Sequence, residues 1–384
     1  MKVLRICLTL PSEEVPGAGQ PCYYHSWYSN HEEMIITLKG YKHKPVRQGV
    51  KLVEIDVKNS GLGKFEDSFL VKIKNLLTKT SEQLTFLLKS RKYVRKFKPD
   101  IVHVYTPMPI LLGLWTKWKF GSKLVLSLHG TDVLRIKSSK IYHFCLEKPD
   151  AVVTVEKSSE AVQEEFKHLK LKRPIESIGN GVDLSTFKDL HLERKNQFIQ
   201  VASFKWQKGK VYLLNGFAEF LKTHPDYNLV LVGDGREVDK AEIKKLSIEL
   251  GIENHVVFRG MLSREDVAQE MSISKAFVLT SLMEGLPKVV LEAMATGTPV
   301  ISTSICSIPE IIMDAGIIIP VKDSKAVCQA MEKMVSSASQ WEEFSKKSLE
   351  YVKEYSWEHI EDRLNAVYYS LIGGEPKHQQ SYDR

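Results

Sequence analysis

The chain has 384 residues, a length that favours two domains of roughly 150 to 200 residues over one compact core. Its 43% hydrophobic and 26% charged residues are ordinary for a globular protein and exclude a largely disordered chain. The net charge of +7 is uneven, because residues 1–190 hold 31 Lys and Arg against 20 Asp and Glu, whereas the rest hold 23 against 27.

The N-terminal segment "VLRICLTL" is short, carries Arg5, and is not followed by a small-residue cleavage site, so no signal peptide is expected. No run approaches the roughly 20 apolar residues of a membrane span. The five cysteines are scattered and form no CxxC pair, which argues against a disulfide framework or a zinc site. We therefore expect a cytoplasmic protein with reduced thiols.

Short β-branched runs alternate with amphipathic stretches along the chain, which is typical of βα units and parallel sheets. The first half contains candidate strands at "VLRICLTL", "KLVEIDV", "DIVHVYT", "KLVLSLH" and "AVVTVE". The second half contains "FIQVAS", "NLVLVGD", "HVVFRG", "AFVLTS", "TPVIST" and "GIIIP". Each half is therefore predicted to form its own doubly wound parallel sheet. The boundary falls near "IGNGVDLSTF", where Asp183 can cap a short helix.

The segment from Leu70 to Asp100 predicts one or two amphipathic helices with a basic end. Its cations can form a solvated face at a helix C-terminus. They can equally rest on the anionic headgroups of a membrane through residues 70–98. The sequence leaves both interpretations open. The basic residues are Lys89, Arg91, Lys92, Arg95, Lys96 and Lys98.

"SLMEGLPKVVLEAMATGTPV", Ser281 to Val300, predicts a strand end, a turn and a helix that begins at Pro287. The N-H groups at the start of such a helix point into the crevice where α/β folds bind anions and nucleotides. Gly285 would let a ligand approach the backbone closely. Glu284 and Glu292 can accept hydrogen bonds from pairs of vicinal hydroxyl groups, as on a ribose or a hexose.

The stretch "EGLPKVVLEAMATGTPVIST", followed by "IPEII" and "AGIIIP", closely resembles the nucleotide-binding signature of the GT4 glycosyltransferases, in which seven residues separate two glutamates. "ESIGNGVDLSTF", "FIQVASFKWQKGKVYLLNGFAEFL", "LVLVGDG", "KPDIVHVYTP" and "LVLSLHGTD" follow the family's order. This resemblance implies a GT-B fold, with two facing Rossmann-like doubly wound parallel-sheet domains and an interdomain cleft. The domains implied are residues 1–178 for the acceptor, 179–355 for the nucleotide sugar, a returning helix over 356–372, and a disordered tail over 373–384.

Carried over to this chain, the resemblance implies that Glu292 binds the donor ribose and Glu284 the hydroxyls of the donor sugar. Lys208 matches the lysine that contacts the donor diphosphate. Ser203 stands where the family usually has an arginine, so one cation is missing unless Lys205 substitutes for it. The turn residues Gly285, Leu286 and Pro287 complete the donor-binding segment.

The first half supplies the other site residues that the resemblance implies. His129 in "HGTD" matches a histidine beside the transferred sugar, and Asp132 follows in the same motif. Gly17 and Gly19 fit the glycine-rich loop that the family brings toward the phosphates, although glycines follow first strands in many α/β proteins. His129, Glu284 and Lys208 are the expected catalytic residues.

We therefore expect a retaining, metal-independent glycosyltransferase that moves a hexosyl sugar from a UDP- or GDP-sugar to a glycan or lipid-linked acceptor. Such a reaction serves cell-surface polysaccharide or glycolipid synthesis at the inner face of the plasma membrane, with no cofactor beyond the donor. The alternatives are a catalytically silent nucleotide-sugar binding protein and a related phosphorylase or sucrose-synthase-like enzyme. Nucleic acid is not an expected partner, because the basic helix lacks aromatic residues interleaved for base stacking.

Overall fold

A computed structural model of the protein describes residues 1–11, 19–40, 42–57, 69–107, 109–129, 146–154, 171–284 and 287–374. For residues 69–80 it describes the backbone alone. The chain divides into two compact units. Unit 1 comprises Met1–Gly179 together with Ile360–Arg384, and unit 2 comprises Asn180–His359.

Within the described part of unit 1, seven parallel strands form one sheet in the order β3-β2-β1-β4-β5-β6-β7. The order reverses between β1 and β4, as in a doubly wound fold. The strands are β1 (Lys2–Ile6), β2 (Glu32–Leu38), β3 (Lys51–Ile55), β4 (Ile101–Val104), β5 (Lys123–Leu128), β6 (Ala151–Thr154) and β7 (Glu176–Ser177).

The helices described in unit 1 connect its strands or return to its sheet from the C-terminal end of the chain. They are α1 (Gln20–Tyr28), α2 (Phe69–Phe97), α3 (Ile110–Phe120) and α11 (Trp357–Ile372), the last of which enters the unit at Ile360. Leu364, Val367 and Tyr368 of α11 pack against Val3 and Ile101 of the sheet. The basic segment predicted as one or two helices is the single helix α2.

Unit 2 contains a second parallel sheet, with the strand order β10-β9-β8-β11-β12-β13. All six strands predicted in the second half are confirmed. They are β8 (Lys195–Val201), β9 (Asn228–Val232), β10 (Val256–Gly260), β11 (Ser274–Leu279), β12 (Val300–Thr303) and β13 (Gly316–Ile319).

The helices of unit 2 cover both faces of this sheet, and each face has its own apolar cluster. They are α4 (Lys210–Leu221), α5 (Glu237–Glu249), α6 (Arg264–Ser272), α7 (Lys288–Ala295), α8 (Ile308–Ile312), α9 (Ser324–Ser336) and α10 (Ala338–Tyr351). Short 3₁₀ helices span Trp206–Lys208, Glu253–His255 and Val352–Tyr355. The prediction of two doubly wound parallel-sheet α/β units is confirmed.

Candidate functional site

The strand order of unit 2 places its candidate site residues. Strands β8 and β11 are neighbours at the point where the order reverses, and ligands of such sheets bind at the carboxyl ends of the strands there. The segment after β8 carries Lys208, and the segment after β11 carries Glu284. Two residues that are 76 positions apart in the chain therefore meet at one edge of the sheet.

Lys208 and Glu284 form an ion pair, with 2.5 Å between Nζ and Oε1. The Glu284 side chain is 10% exposed and that of Lys208 is 24% exposed, so both reach the surface of the unit. The hydroxyl of Ser281 donates a second hydrogen bond to the same carboxylate oxygen over 2.6 Å. The pair brings together an ammonium that can bind phosphate and a carboxylate that can bind hydroxyl groups.

The backbone around this pair is tightly packed. Gly209 has a φ of +63°, and a Cβ added there would lie 1.9 Å from the carbonyl oxygen of Thr280, so only glycine fits. The Thr280 hydroxyl donates to the Gly209 carbonyl over 3.0 Å. The Leu282 N-H donates to the Gln207 carbonyl over 2.7 Å. The segments after β8 and β11 are thus joined by hydrogen bonds at the residues on either side of Lys208.

Glu292 lies on α7, the helix that follows the Glu284 segment, and is half-buried. Burial raises the pKa of its carboxyl group, and the charges of Arg264 and Lys288 oppose that rise. Burial also lowers the pKa of Lys288 to about 8. Arg264, on α6, lies 3.7 Å from the Asp183 carboxylate. Glu292 is therefore one member of a group of four charged side chains.

Two features of this region differ from the sequence prediction. Helix α7 begins at Lys288, one residue later than predicted, with Pro287 immediately before it in an extended conformation. Asp183 caps a turn rather than a helix, since its carboxylate accepts from the Ser185 N-H at 3.1 Å and from the Thr186 hydroxyl at 2.9 Å. Gly285 and Leu286 lie outside the described residues.

The segment after β8 also contains Ser203, Lys205 and a buried lysine that the sequence analysis missed. Lys205 is exposed, directly before the 3₁₀ helix that ends at Lys208. The Ser203 carbonyl accepts a hydrogen bond from the Lys210 ammonium over 3.0 Å. Lys210 is 3% exposed, and burial lowers its pKa to about 7. Its position after "KG" gives no sequence signal, because lysine is normally a surface residue.

In unit 1, His129 directly follows β5, at the carboxyl edge of the sheet. Its ring is parallel to that of Tyr105, with 6.3 Å between the centroids. Gly19 precedes α1 with a φ of +61°, and a Cβ there would lie 1.9 Å from the Thr9 carbonyl oxygen. Gly17 and Asp132 lie outside the described residues.

A buried polar cluster lies close to these rings and was not predicted. The Arg5 guanidinium is fully buried and contacts the carboxylates of Glu33 and Glu361 at 2.6 and 2.9 Å. It also donates to the Tyr105 hydroxyl over 2.6 Å. His25 contacts Glu361 at 2.7 Å, and burial, aided by Arg5, holds the pKa of this imidazole well below its usual value. The cluster connects α11 to the centre of the unit 1 sheet.

The described residues also bear on metal binding and on membranes. No three side chains of His, Cys, Asp or Glu in the described ranges are grouped so that they could hold a metal ion. Among the helices in these ranges, none combines the length and apolarity needed to cross a bilayer.

Two family models match the chain. A family model described as "Glycosyl transferases group 1" matches residues 183–351. A second model, described as "Glycosyltransferase Family 4", matches residues 64–186. The first match contains Lys208, Glu284 and Glu292, and the second contains His129.

Individual proteins show the same relationship. The chain is 28% identical to N-acetyl-alpha-D-glucosaminyl L-malate synthase of Bacillus anthracis over 75% of this chain and 79% of that one. Its fold is similar to sucrose-phosphate synthase from Thermosynechococcus elongatus, with a TM-score of 0.75, 19% identity and coverage of 97% and 99%. It is also similar to Anabaena HepE in complex with UDP, with a TM-score of 0.74, 15% identity and coverage of 96% and 100%.

Proposed function

Because the chain belongs to the group 1, family 4 glycosyltransferases, we propose that it moves a hexosyl sugar from a nucleoside-diphosphate donor to a glycan or lipid-linked acceptor. The reaction proceeds with retention of anomeric configuration and without a metal ion. A UDP- or GDP-sugar is the proposed donor, and UDP is the nucleotide named for a protein of similar fold, Anabaena HepE. The proposed setting is polysaccharide or glycolipid synthesis on the cytoplasmic side of the plasma membrane.

The observation that carries this proposal is the contact between Lys208 and Glu284 at the point where the strand order of unit 2 reverses. A nucleotide sugar carries a diphosphate between two groups rich in hydroxyls. Lys208 supplies a cation for the diphosphate, and Glu284 and Glu292 supply acceptors for the hydroxyls of the sugar and the ribose. These three side chains thus offer one partner of suitable charge for each group of the donor.

The chemistry assigned to these residues follows from charge. When the bond between sugar and diphosphate breaks, negative charge develops on the phosphate oxygens and positive charge on the sugar ring. Lys208 stabilises the departing diphosphate. Because Glu284 is held by Lys208 and Ser281, we assign it to orienting the sugar rather than to attacking its anomeric carbon. Retention then arises from attack by the acceptor on the face that the leaving phosphate occupies.

Unit 1 supplies the remaining proposed roles. His129 at the end of β5 is assigned to the transferred sugar, and Asp132 from the same sequence motif is assigned to it as well. Gly17 and Gly19 are assigned to the loop that approaches the phosphates. For Gly19, the positive φ and the 1.9 Å approach to Thr9 support a backbone that must remain without a side chain.

The donor is identified by thermal shift with UDP-, GDP- and ADP-sugars, because a ligand that binds the native state raises its melting temperature. We expect sugars of one nucleotide class to raise the melting temperature. Glu292→Ala should lower the affinity for that ligand about tenfold or more, because a charged hydrogen bond is lost. Glu342→Ala, at an exposed acidic position on α10, is the matched control. No response to any donor, or unchanged affinity in a folded Glu292→Ala protein, contradicts the proposal.

A turnover assay tests the role of Lys208 and separates the alternatives. Lys208→Ala should lower kcat on the order of 100-fold, the usual effect of removing one donor to a developing anion. Lys222→Ala, at an exposed lysine beyond α4, should not change it. A wild-type protein that binds the donor and never turns it over is a silent binding protein. A wild-type protein that turns over only with phosphate as acceptor is a phosphorylase.

For the acceptor we propose a lipid-linked molecule at an anionic membrane, reached through the surface of α2 and α3. Leu84 and Leu88 of α2 are 47% and 60% exposed, and Trp118 of α3 is 79% exposed. The guanidinium groups of Arg91 and Arg95 lie 5.1 and 5.9 Å from the ring centroid of Trp115 on α3. Exposed apolar side chains beside cations are the combination that binds an interface of anionic lipid.

Liposome sedimentation tests this surface. We expect binding to vesicles with anionic lipid, weaker binding to neutral vesicles, and loss of binding when Arg91, Lys92, Arg95 and Lys96 are changed to Gln. A control variant in which four exposed lysines elsewhere are changed to Gln has the same net charge as the first variant and should still bind. These lysines are Lys222, Lys244, Lys245 and Lys346. Equal sedimentation with both vesicle types would refute the membrane contact and leave the donor site unaffected.

A further inference from the structure

Lys210 is a buried lysine in the first turn of α4, two residues after Lys208. Its ammonium donates hydrogen bonds to the carbonyl oxygens of Ala202 and Ser203, each over 3.0 Å. It also lies 4.6 Å from the centroid of the Phe204 ring. All three contacts are made to the first residues of the segment that leads from β8 to Lys208.

These contacts fix both ends of that segment. Lys210 holds residues 202–204 from the helix side, and Gly209, with its fixed backbone, holds the end next to Lys208. The segment between them, from Lys205 to Lys208, carries the cation assigned to the donor diphosphate. An ammonium has three N-H donors, and two of them are used by the two carbonyl groups.

Lys210 changes between its charged and neutral forms near neutral pH in this position. Burial lowers its pKa to about 7, and the neighbouring charge of Lys208 adds to the fall. Lys208 is itself paired with Glu284. The backbone carbonyl of Asp234 accepts a hydrogen bond from the Phe204 N-H. The carboxylate of Asp234 is paired with Lys240. An anion bound by Lys208 would offset the repulsion between the two lysines and favour the charged form of Lys210.

We propose that Lys210 is a second, buried cation of the donor site, which holds the Lys208 segment in place and takes up a proton from solvent when the diphosphate binds. The inference rests on the proposed function, because it concerns the same donor diphosphate. Lys210 is a positioning residue that acts on the diphosphate through its field and through the backbone that carries Lys208. Proton uptake distinguishes this role from mere support of the fold.

Isothermal titration calorimetry with UDP, and with GDP in parallel, tests the inference at pH 8 in two buffers of different ionisation enthalpy. At this pH the second ionisation of a phosphate, with a pKa of about 6, is complete, so the nucleotide contributes little. Lys210, with a pKa near 7, is then largely neutral before binding. We expect the wild type to take up a substantial fraction of one proton, seen as a binding enthalpy that differs between the buffers.

Three variants make the outcome specific. Lys210→Met should remove the share of the uptake that is due to Lys210 and weaken binding about tenfold, whereas Lys210→Arg, permanently charged, should lack the same share and retain more affinity. Lys222→Met, beyond the other end of α4, should behave as wild type. Lys288→Met serves as a second control. The amine of Lys288 has a pKa of about 8 and can contribute proton uptake of its own, which should persist in Lys210→Met.

The outcomes separate this inference from the function it rests on. If the wild type binds neither nucleotide, the proposed function fails. If it binds and Lys210→Met shows the same uptake and affinity, the function stands and the role of Lys210 is refuted. Should both Lys210 variants fail to fold, the wild type still decides, because an enthalpy that is equal in the two buffers excludes proton uptake by Lys210.

Discussion

Replacing Arg5 with Met should destabilise unit 1 strongly and in a pH-dependent way. The guanidinium is fully buried, and its removal leaves the carboxylates of Glu33 and Glu361 without their shared cation. Breaking a buried ion pair in this way costs about 3–5 kcal/mol, because the remaining charge has neither water nor a counter-ion. The hydroxyl groups of Tyr105 and Tyr368 also lose an N-H donor.

The pH dependence follows from Glu361. Burial raises the pKa of this carboxyl group and the charge of Arg5 opposes the rise, so without Arg5 its folded-state pKa lies further above the unfolded value and the folded variant binds more protons than the unfolded chain. Stability therefore falls as pH rises through that window, and the deficit of Arg5→Met against the wild type should be larger at pH 8 than at pH 5.5. Adding Glu33→Gln and Glu361→Gln to the variant should recover part of the loss at pH 8.

Urea unfolding followed by circular dichroism at both pH values measures these differences. Lys2→Met, at the exposed start of the same strand, is the matched control and should change stability little. A loss below about 1 kcal/mol for Arg5→Met, or an equal loss at both pH values, would refute the view that Arg5 compensates two buried charges.

Two further substitutions test the donor site. Gly209→Ala places a Cβ 1.9 Å from the Thr280 carbonyl oxygen at a φ of +63°, so we expect a loss of at least about 2 kcal/mol in urea unfolding; unchanged stability would show that the segment relaxes freely. Donor affinity should fall as pH drops through the raised pKa of Glu292, because a protonated carboxyl group is a poorer acceptor, and Glu292→Gln should flatten this dependence in calorimetry. An identical pH profile in that variant would assign the titration to another group.

Strand prediction from the sequence found most strands but missed β2 and the two-residue strand β7. Strand β2 was missed because it begins with Glu32 and Glu33, which resemble an exposed loop. Glu33 is buried in the sheet only because Arg5, on the neighbouring strand, neutralises it. The two residues are 28 positions apart, so no local pattern contains the information.

Some features of the candidate site could also be predicted from the sequence, and others could not. The spacing of Glu284 and Glu292, and the lysine before Gly209, could be found because local motifs carry them. Their mutual placement needed the strand order, which brings Lys208 to Glu284. The role of Lys210 depends on its burial at the start of α4 and on two carbonyl groups earlier in the chain, and that environment exists only in the folded unit.

Under the proposed function, the ion pair between Lys208 and Glu284 also bears on selectivity. A diphosphate that binds Lys208 must displace the Glu284 carboxylate, whose Oε1 lies 2.5 Å from the Lys208 Nζ. Small inorganic anions offer nothing in exchange for the displaced carboxylate, whereas a nucleotide sugar brings hydroxyl groups that Glu284 can bind instead. The pair therefore sets a threshold that favours whole donors over phosphate alone, and the loss of those hydroxyl groups after transfer would make the spent nucleotide easier to release.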